Sequence, residues 1–421
     1  MKVRIVVTLV SPSFFLLFLP FSALLYTAVP VRRRAAAFLF VSVLFSFFAF
    51  GGVSALILLL VTALTLALSH TRYLAVLPAF CALVMCRLCS FSCGGLSFLF
   101  LRAAAYAFYG ERKRLSPTDG AIYLLAFPSL WMGPVALLPA FSFSPACDTR
   151  RRFDGLVLYA VGFFKKCAFA DVLYAAVART SPPASALGAW TTLSAFCLGL
   201  YFDFSGYTDM ARGLAEMFGI TLPQNFDHPY AARSVSDFFR RWHISFGKLL
   251  YTYVYLPLGG SRCGRARTLL SLFAVWLCSS LWHGATVCYL LWGAWFFLLS
   301  AAEKLVFGGR GIGNVGTLLC VWLGFVFFLC PTPQSAASFF SYLFCLGARP
   351  LFLPNDLYHF FRLLPLFLLS FFISRGGLSE LTVRLWKTPL LVRCGVAVCL
   401  FCVGLCDLLA GGHRPFLYAA F

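Results

Sequence analysis

Acidic residues are scarce in this chain: 14 Asp and Glu stand against 34 Lys and Arg, and only 11% of its 421 positions are charged. Ordinary soluble domains carry roughly 25% charged residues, so the composition excludes a conventional water-solvated surface. Polar stretches long enough for a separate soluble domain are also missing, which leaves one polytopic unit over residues 1–421. The signatures of a P-loop lysine, of H-E-x-x-H and of G-x-S-x-G are absent, so nothing marks a nucleotide-binding loop, a zinc protease helix or a nucleophile elbow. Internal repeats are lacking too, which argues against a transporter built from inverted halves.

What remains is apolar: 61% of residues are hydrophobic. Runs recur at about 3–29, 35–69, 73–90, 95–109, 120–140, 155–178, 186–202, 268–300, 313–330, 335–348, 357–374 and 388–410. A spanning helix needs about 20 such residues, so the expected fold is an all-α polytopic membrane protein with about 11 transmembrane helices plus re-entrant or interfacial ones. The first run, after Lys2 and Arg4, exceeds the roughly 7–15 residues of a cleaved signal core and reads as the first span.

The net charge of +20 is clustered at Arg32–Arg34, Arg112–Arg114, Arg150–Arg152, Lys165–Lys166 and Arg262–Arg267. Between hydrophobic spans such clusters follow the positive-inside rule and the pull of anionic headgroups, so membrane lipids are expected partners and nucleic acid is not. A cytoplasmic Arg32 cluster would put the N-terminus outside, with Lys2 and Arg4 opposing weakly.

Seventeen cysteines include two sets with the same spacing, Cys81, Cys86, Cys89, Cys93 and Cys394, Cys399, Cys402, Cys406. Each set falls on one helical face, but both lie among Leu, Val, Phe and Ala, where cysteine packs as a small apolar residue; no metal site is expected. "GIGNVG" at 311–316 matches a dinucleotide motif without the strand it requires, and reads as a loop.

Chemistry concentrates between Tyr201 and Arg267, where five acids and two histidines gather, and the motif-rich core extends over 201–300. Ionisable groups at membrane depth are costly and mark function by default. Asp209, Arg212 and Glu216, at i, i+3 and i+7, suit an ion-pair stripe to neighbouring helices or a place in a site. Asp203 and Ser205 flank Gly206, read as a helix break lining a cavity. Ser234 and Asp237 form a capping box, after which Val235, Phe238, Phe239, Trp242, Phe246 and Leu249 make one amphipathic helix, interfacial or folded back. His243 projects at the edge of its apolar stripe.

His283 stands in "SSLWHGATVCYLLWG", residues 279–293, with no acid near it in sequence. A neutral imidazole there can take the proton of a hydroxyl attacking an acyl carbon, a step worth roughly 10²- to 10⁴-fold in rate. The alternative is a histidine hydrogen-bonded to a carbonyl for packing.

"YFDFSGYTDMARGLAEMFGITLPQNFDHPY", "RSVSDFFRRWHISF", "YVYLPLGG" and "LWHGA" resemble the core of bacterial membrane-bound O-acyltransferases, in the branch of alginate O-acetylation and D-alanyl transfer proteins. "GGLSFLFLRAAAYAFYG", "FPSLWMGPV", "GFFKKCAFAD" and the terminal "PFLYAAF" extend the likeness over nearly the whole chain. The resemblance implies a helical bundle around a central funnel or tunnel, with His283 as the essential histidine and His243 as the second. Trp282, Asp203, Ser205, Asp209 and Arg241 would support the reaction chamber. It implies acetyl-CoA as donor, or the D-alanyl thioester of an acyl carrier protein, with no bound cofactor. A polysaccharide acceptor, an SGNH-type acetyltransferase or esterase-like partner and the bacterial cytoplasmic membrane follow in the same way. Since no serine or cysteine nucleophile motif is present, direct transfer from a thioester is expected. Two positions depart from the family pattern: Leu329, where an arginine is usual, and Leu101–Arg102, in place of a Phe-Gln pair.

Overall fold

A computed structural model describes residues 7–89, 91–109, 115–146, 148–377 and 385–411. Lys2, Arg4, the Arg112–Arg114 cluster and the terminal "PFLYAAF" lie outside the described residues. The chain is helical almost throughout; among the described residues the strands are β1 (Ser142–Phe143) and β2 (Ile220–Thr221), paired antiparallel with Ser142 opposite Thr221.

The first half holds α1 (Leu19–Ala28), α2 (Arg34–Phe50), α3 (Gly52–Ala67), α4 (Arg72–Leu88), α5 (Leu96–Tyr109) and α6 (Pro117–Leu125). The centre is built by α7 (Thr149–Phe164), a π-helical turn (Lys165–Asp171), α8 (Val172–Thr180) and the long α9 (Ala186–Met217). After it come α10 (Val235–Arg241), α11 (Ile244–Leu250), α12 (Gly264–His283) and α13 (Val287–Leu305). The last elements are α14 (Gly313–Leu329), α15 (Pro333–Leu343), α16 (Pro354–Ser374) and α17 (Leu390–Leu409). One contiguous apolar core joins residues from Val7 to Leu408.

Among the described residues three helices are long and apolar enough to cross a membrane: Val31–Phe50, Pro354–Ser374 and Leu390–Leu409. Shorter apolar helices are Phe14–Ala28, Gly52–Ala67, Leu74–Cys86, Leu96–Phe108 and Gly313–Leu329. Their outward faces carry large apolar side chains, such as Leu60, Val315, Leu368 and Leu391, a surface that matches hydrocarbon better than water.

The centre is organised by glycine. Gly206, expected at a break, lies inside an uninterrupted α9; the break is absent because this glycine serves a helix crossing instead. A Cβ on Gly206 would sit 2.8 Å from the carbonyl oxygen of Gly162 on α7, and one on Gly213 would sit 2.6 Å from the Tyr159 amide. Gly155 and Gly162 face Gly213 and Gly206 in turn, so the two backbones touch at two levels. Small residues give helices this approach, and dispersion then replaces the hydrophobic effect that lipid cannot supply. Beside the crossing, Lys166 bridges Asp171 and Asp203 at 2.8 Å each, and all three side chains are buried. The π turn that carries Lys165 and Lys166 aims both toward α9.

Two further expectations are corrected. "GIGNVG" is only partly loop, because Gly313 begins α14 and Asn314 donates to the carbonyls of Tyr230 and Ala232 at 2.9 and 2.7 Å. The first cysteine set does not share a helical face, because α4 ends at Leu88, before Cys89 and Cys93.

Candidate active site

The amphipathic helix read over 235–249 is two short helices with a sharp joint between them. Ser234 caps α10 by accepting from the Asp237 amide at 3.0 Å, but the Asp237 carboxylate accepts from the Arg233 amide at 3.3 Å instead of the Ser234 amide, so only half of the expected box forms. Then a distant segment intervenes. The Asp227 amide donates to Arg241 O at 2.9 Å, the Ile244 amide donates to Asn225 O at 3.0 Å, and Phe226 pairs with Trp242 as an antiparallel bridge. These bonds replace the helical ones, so Trp242 becomes extended and His243 adopts φ 50°, ψ 49°. Left-handed backbone is costly for a residue with a Cβ and persists where the surroundings over-determine it. Its result is to turn the imidazole inward, 4.7 Å from the Phe204 ring and 5.0 Å from that of Phe246.

His283 is the last residue of α12, not a mid-helix residue. Gly284 follows because a Cβ there would lie 2.7 Å from the Tyr289 ring, whose stack on His283 has a centroid distance of 6.1 Å. Trp282, Trp292 and Phe328 complete the surround at 4.7, 5.3 and 5.0 Å. Phe246 stands between the two histidines, 5.0 Å from His243 and 6.3 Å from His283.

Both imidazoles are buried and line one cavity of about 900 Å³. Its wall includes Arg240, Lys248, Lys304 and Glu303 beside the aromatic residues. Lys304 Nζ lies 2.6 Å from the Tyr255 hydroxyl, while Glu303 accepts from the Val235 amide at 2.8 Å and so anchors the start of α10. The cavity is large enough for a thioester arm and a hydroxyl together, with two imidazoles at its wall and cationic side chains on the same surface.

Residues 67–311, more than half of the chain, match the family model described as MBOAT, membrane-bound O-acyltransferase family. The chain belongs to this family. The chain is 35% identical over 270 residues to the "Probable alginate O-acetylase AlgI" of Pseudomonas syringae pv. tomato, covering 60% of the chain and 52% of that protein. It is 37% identical over 184 residues to the peptidoglycan O-acetyltransferase of Helicobacter pylori, covering 42% of the chain and 35% of the relative. With the teichoic acid D-alanyltransferase of Bacillus subtilis it shares 28% over 120 residues, 27% of the chain and 30% of the relative. The chain thus spans about half the length of the alginate relatives it matches.

The residues expected to support the chamber, Trp282, Asp203, Ser205, Asp209 and Arg241, do not line the cavity. Trp282 packs behind it, 4.7 Å from His283 and 6.2 Å from His243, with its indole N–H directed at Ser97 O at 3.5 Å. Asp203 belongs to the buried Lys166 cluster, and Ser205 is buried on α9. Asp209 pairs with Lys165 at 2.6 Å and Arg212 at 3.6 Å, while Glu216 pairs with Arg151, so the stripe ties α9 to α7 and the π turn. Arg241 folds back on Asp237 at 3.0 Å; its neighbour Arg240, 3.8 Å from Asp237, also lines the cavity. Asp209→Asn is therefore expected to reduce the amount of folded protein in membranes more than the turnover per molecule. Quantified immunoblots beside transfer assays check this, and full abundance with lost turnover would move Asp209 into the site.

Sequence reasoning passed over Asn225, whose signal was an uncharged polar residue in "LPQNFDHPY". Arg102, noted only as a departure, is buried and donates to Leu124 O at 2.9 Å and to Ser129 O, holding the "FPSLWMGPV" loop that runs to Ser245. Leu329 closes α14 next to Phe328, which meets His283.

Proposed function

We propose that this chain is an O-acyltransferase of the bacterial cytoplasmic membrane that transfers acetyl groups to hydroxyls of a cell-envelope or exported polysaccharide, directly or through a partner. The observation that carries this reading is the convergence of His243 and His283, distant in sequence, on one cavity. Residues 1–421 act as one unit, in which the long helices α9, α12 and α13 join the three longest and the five shorter apolar helices to make about 11 spans.

His283 is the general base: its neutral imidazole takes the acceptor's hydroxyl proton as the oxygen attacks the thioester carbonyl. The tetrahedral intermediate then collapses, the carbon–sulfur bond breaks, and the sulfur leaves as a thiol with that proton. His243 orients or assists. Trp282 fixes the His283 ring from behind, and Asp203, Ser205, Asp209 and Arg241 support the chamber through the helices that hold it. Arg240, Lys248 and Lys304 supply positive charge for the phosphates of the donor.

Acetyl-CoA is the first choice of donor, because the alginate and peptidoglycan relatives, named for acetyl transfer, are 35% and 37% identical to the chain over their matches, against 28% and 25% for the D-alanyl relatives. D-alanyl transfer from a carrier-protein thioester to teichoic acid is the second reading. An SGNH-type acetyltransferase or esterase-like protein on the far side is the partner that would receive acetyl if the polymer is not acylated directly. The deciding experiment supplies membranes containing the chain with radiolabelled acetyl-CoA or with D-alanyl carrier protein. Base-labile label in envelope polysaccharide from acetyl-CoA alone is expected; label from the carrier alone would transfer the assignment to D-alanylation.

A further inference from the structure

His243 Nδ1 lies 3.4 Å from Asn225 Oδ1, and that oxygen also receives the Ser245 amide at 3.0 Å and the Ser245 hydroxyl at 2.8 Å. The backbone N–H can only donate, so the atom it meets on Asn225 must be the carbonyl oxygen and not the amide nitrogen. The Ser245 hydroxyl in turn accepts from the Val135 amide at 3.0 Å, which leaves its own proton free to point at Asn225. The direction of every bond in this small network is thus set by two backbone amides.

A carbonyl oxygen cannot donate, so an imidazole that bonds to it must carry its proton on Nδ1. The structure assigns to Asn225 the role of a positioning residue: its side-chain oxygen holds His243 as the Nδ1–H tautomer and leaves Nε2 as a bare acceptor at the cavity wall. His243 Nε2 is buried and has no hydrogen-bond partner among the described residues, which suits an atom kept for a substrate hydroxyl or thiol. The 3.4 Å contact is long for a hydrogen bond, in keeping with catalytic hydrogen bonds that tighten only when substrate is bound. The left-handed backbone at His243 and the Ile244–Asn225 backbone bond hold the two side chains together, so the strained joint and the tautomer have one cause.

This inference rests on the reading of the cavity as an acyl-transfer site, but its first test does not use activity. The protein labelled with ¹⁵N-histidine in nanodiscs gives ring-nitrogen spectra in which the two tautomers differ, and subtraction of the His243→Gln spectrum assigns His243. An Nδ1–H signal is expected in the wild type; an Nε2–H signal would overturn the assignment without touching the proposed function. Asn225→Asp keeps the acceptor oxygen, and should keep both the tautomer and acetyl transfer within about tenfold. Asn225→Leu removes it and should lose of the order of 10²-fold in transfer at unchanged apparent affinity for acetyl-CoA. Should Asn225→Leu fail to fold, the wild-type spectrum and the Asp variant still decide. Equal loss in the Asp and Leu variants with the tautomer unchanged would also overturn the role. A wild-type protein with the expected tautomer but no transfer would refute the functional reading alone.

Discussion

His283→Ala is expected to lower acyl transfer by about 10²- to 10⁴-fold, the range that a positioned general base contributes. The imidazole borders the cavity from the end of α12, ringed by Trp282, Tyr289, Trp292 and Phe328, and no carboxylate lines the wall near it except Glu303, already engaged by the α10 amides. His243, on the far side of the Phe246 ring, is the other neutral base on this wall. His283→Gln fills more of the same space and keeps a polar group, so it should fold at least as well as the alanine variant and still lose turnover. If His243 acts in the same step, the double variant with His243→Ala should cost little more than His283→Ala alone, because residues working as a unit are not additive. Initial rates of purified protein in nanodiscs, at equal protein, measure both effects. Additive losses would assign the two histidines to separate steps.

Gly213→Leu should remove most of the folded protein. A Cβ at this position meets backbone of α7 on two sides, including the Gly155 carbonyl, and backbone cannot turn away as a flexible side chain does. Ordinary overpacking costs about 1–3 kcal/mol; here the two central helices must separate, which also strains the Lys165–Asp209 and Lys166–Asp203 pairs beside the crossing. The cost should therefore exceed that range. Gly395→Ala, where nothing lies within 4 Å of the added carbon, is the matched control and should be tolerated. Size-exclusion profiles of fluorescent fusions after detergent extraction give the comparison. A monodisperse Gly213→Leu protein at wild-type yield would contradict the close crossing.

The membrane-embedded helical character was legible in composition, and the two histidines in their setting and their likeness to family motifs. Their meeting was not, since no local pattern encodes which turns a distant loop will bend. The joint at Trp242–His243 shows why: residues 235–249 have a consistent helical stripe, and only the pairing of Asn225–Asp227 with that segment interrupts it. Gly206 was misread for a related reason. Flanked by polar residues it resembles a break, yet its seven-residue spacing from Gly213, matched by Gly155 and Gly162, is the signal of two helices in backbone contact. Asn225 escaped notice because its work is to orient another side chain, and composition cannot display that. Arg240 and Arg241 were separable only by geometry: both reach Asp237, at 3.8 and 3.0 Å, but Arg240 also lines the cavity and Arg241 does not.

The most direct test of His283-dependent acetyl transfer measures the acetate released by mild base from purified envelope polysaccharides. A strain lacking this gene is complemented with the wild type or with His283→Ala at matched membrane abundance. Acetate restored by the wild type and absent with His283→Ala is the predicted result, and equal restoration by both would contradict it.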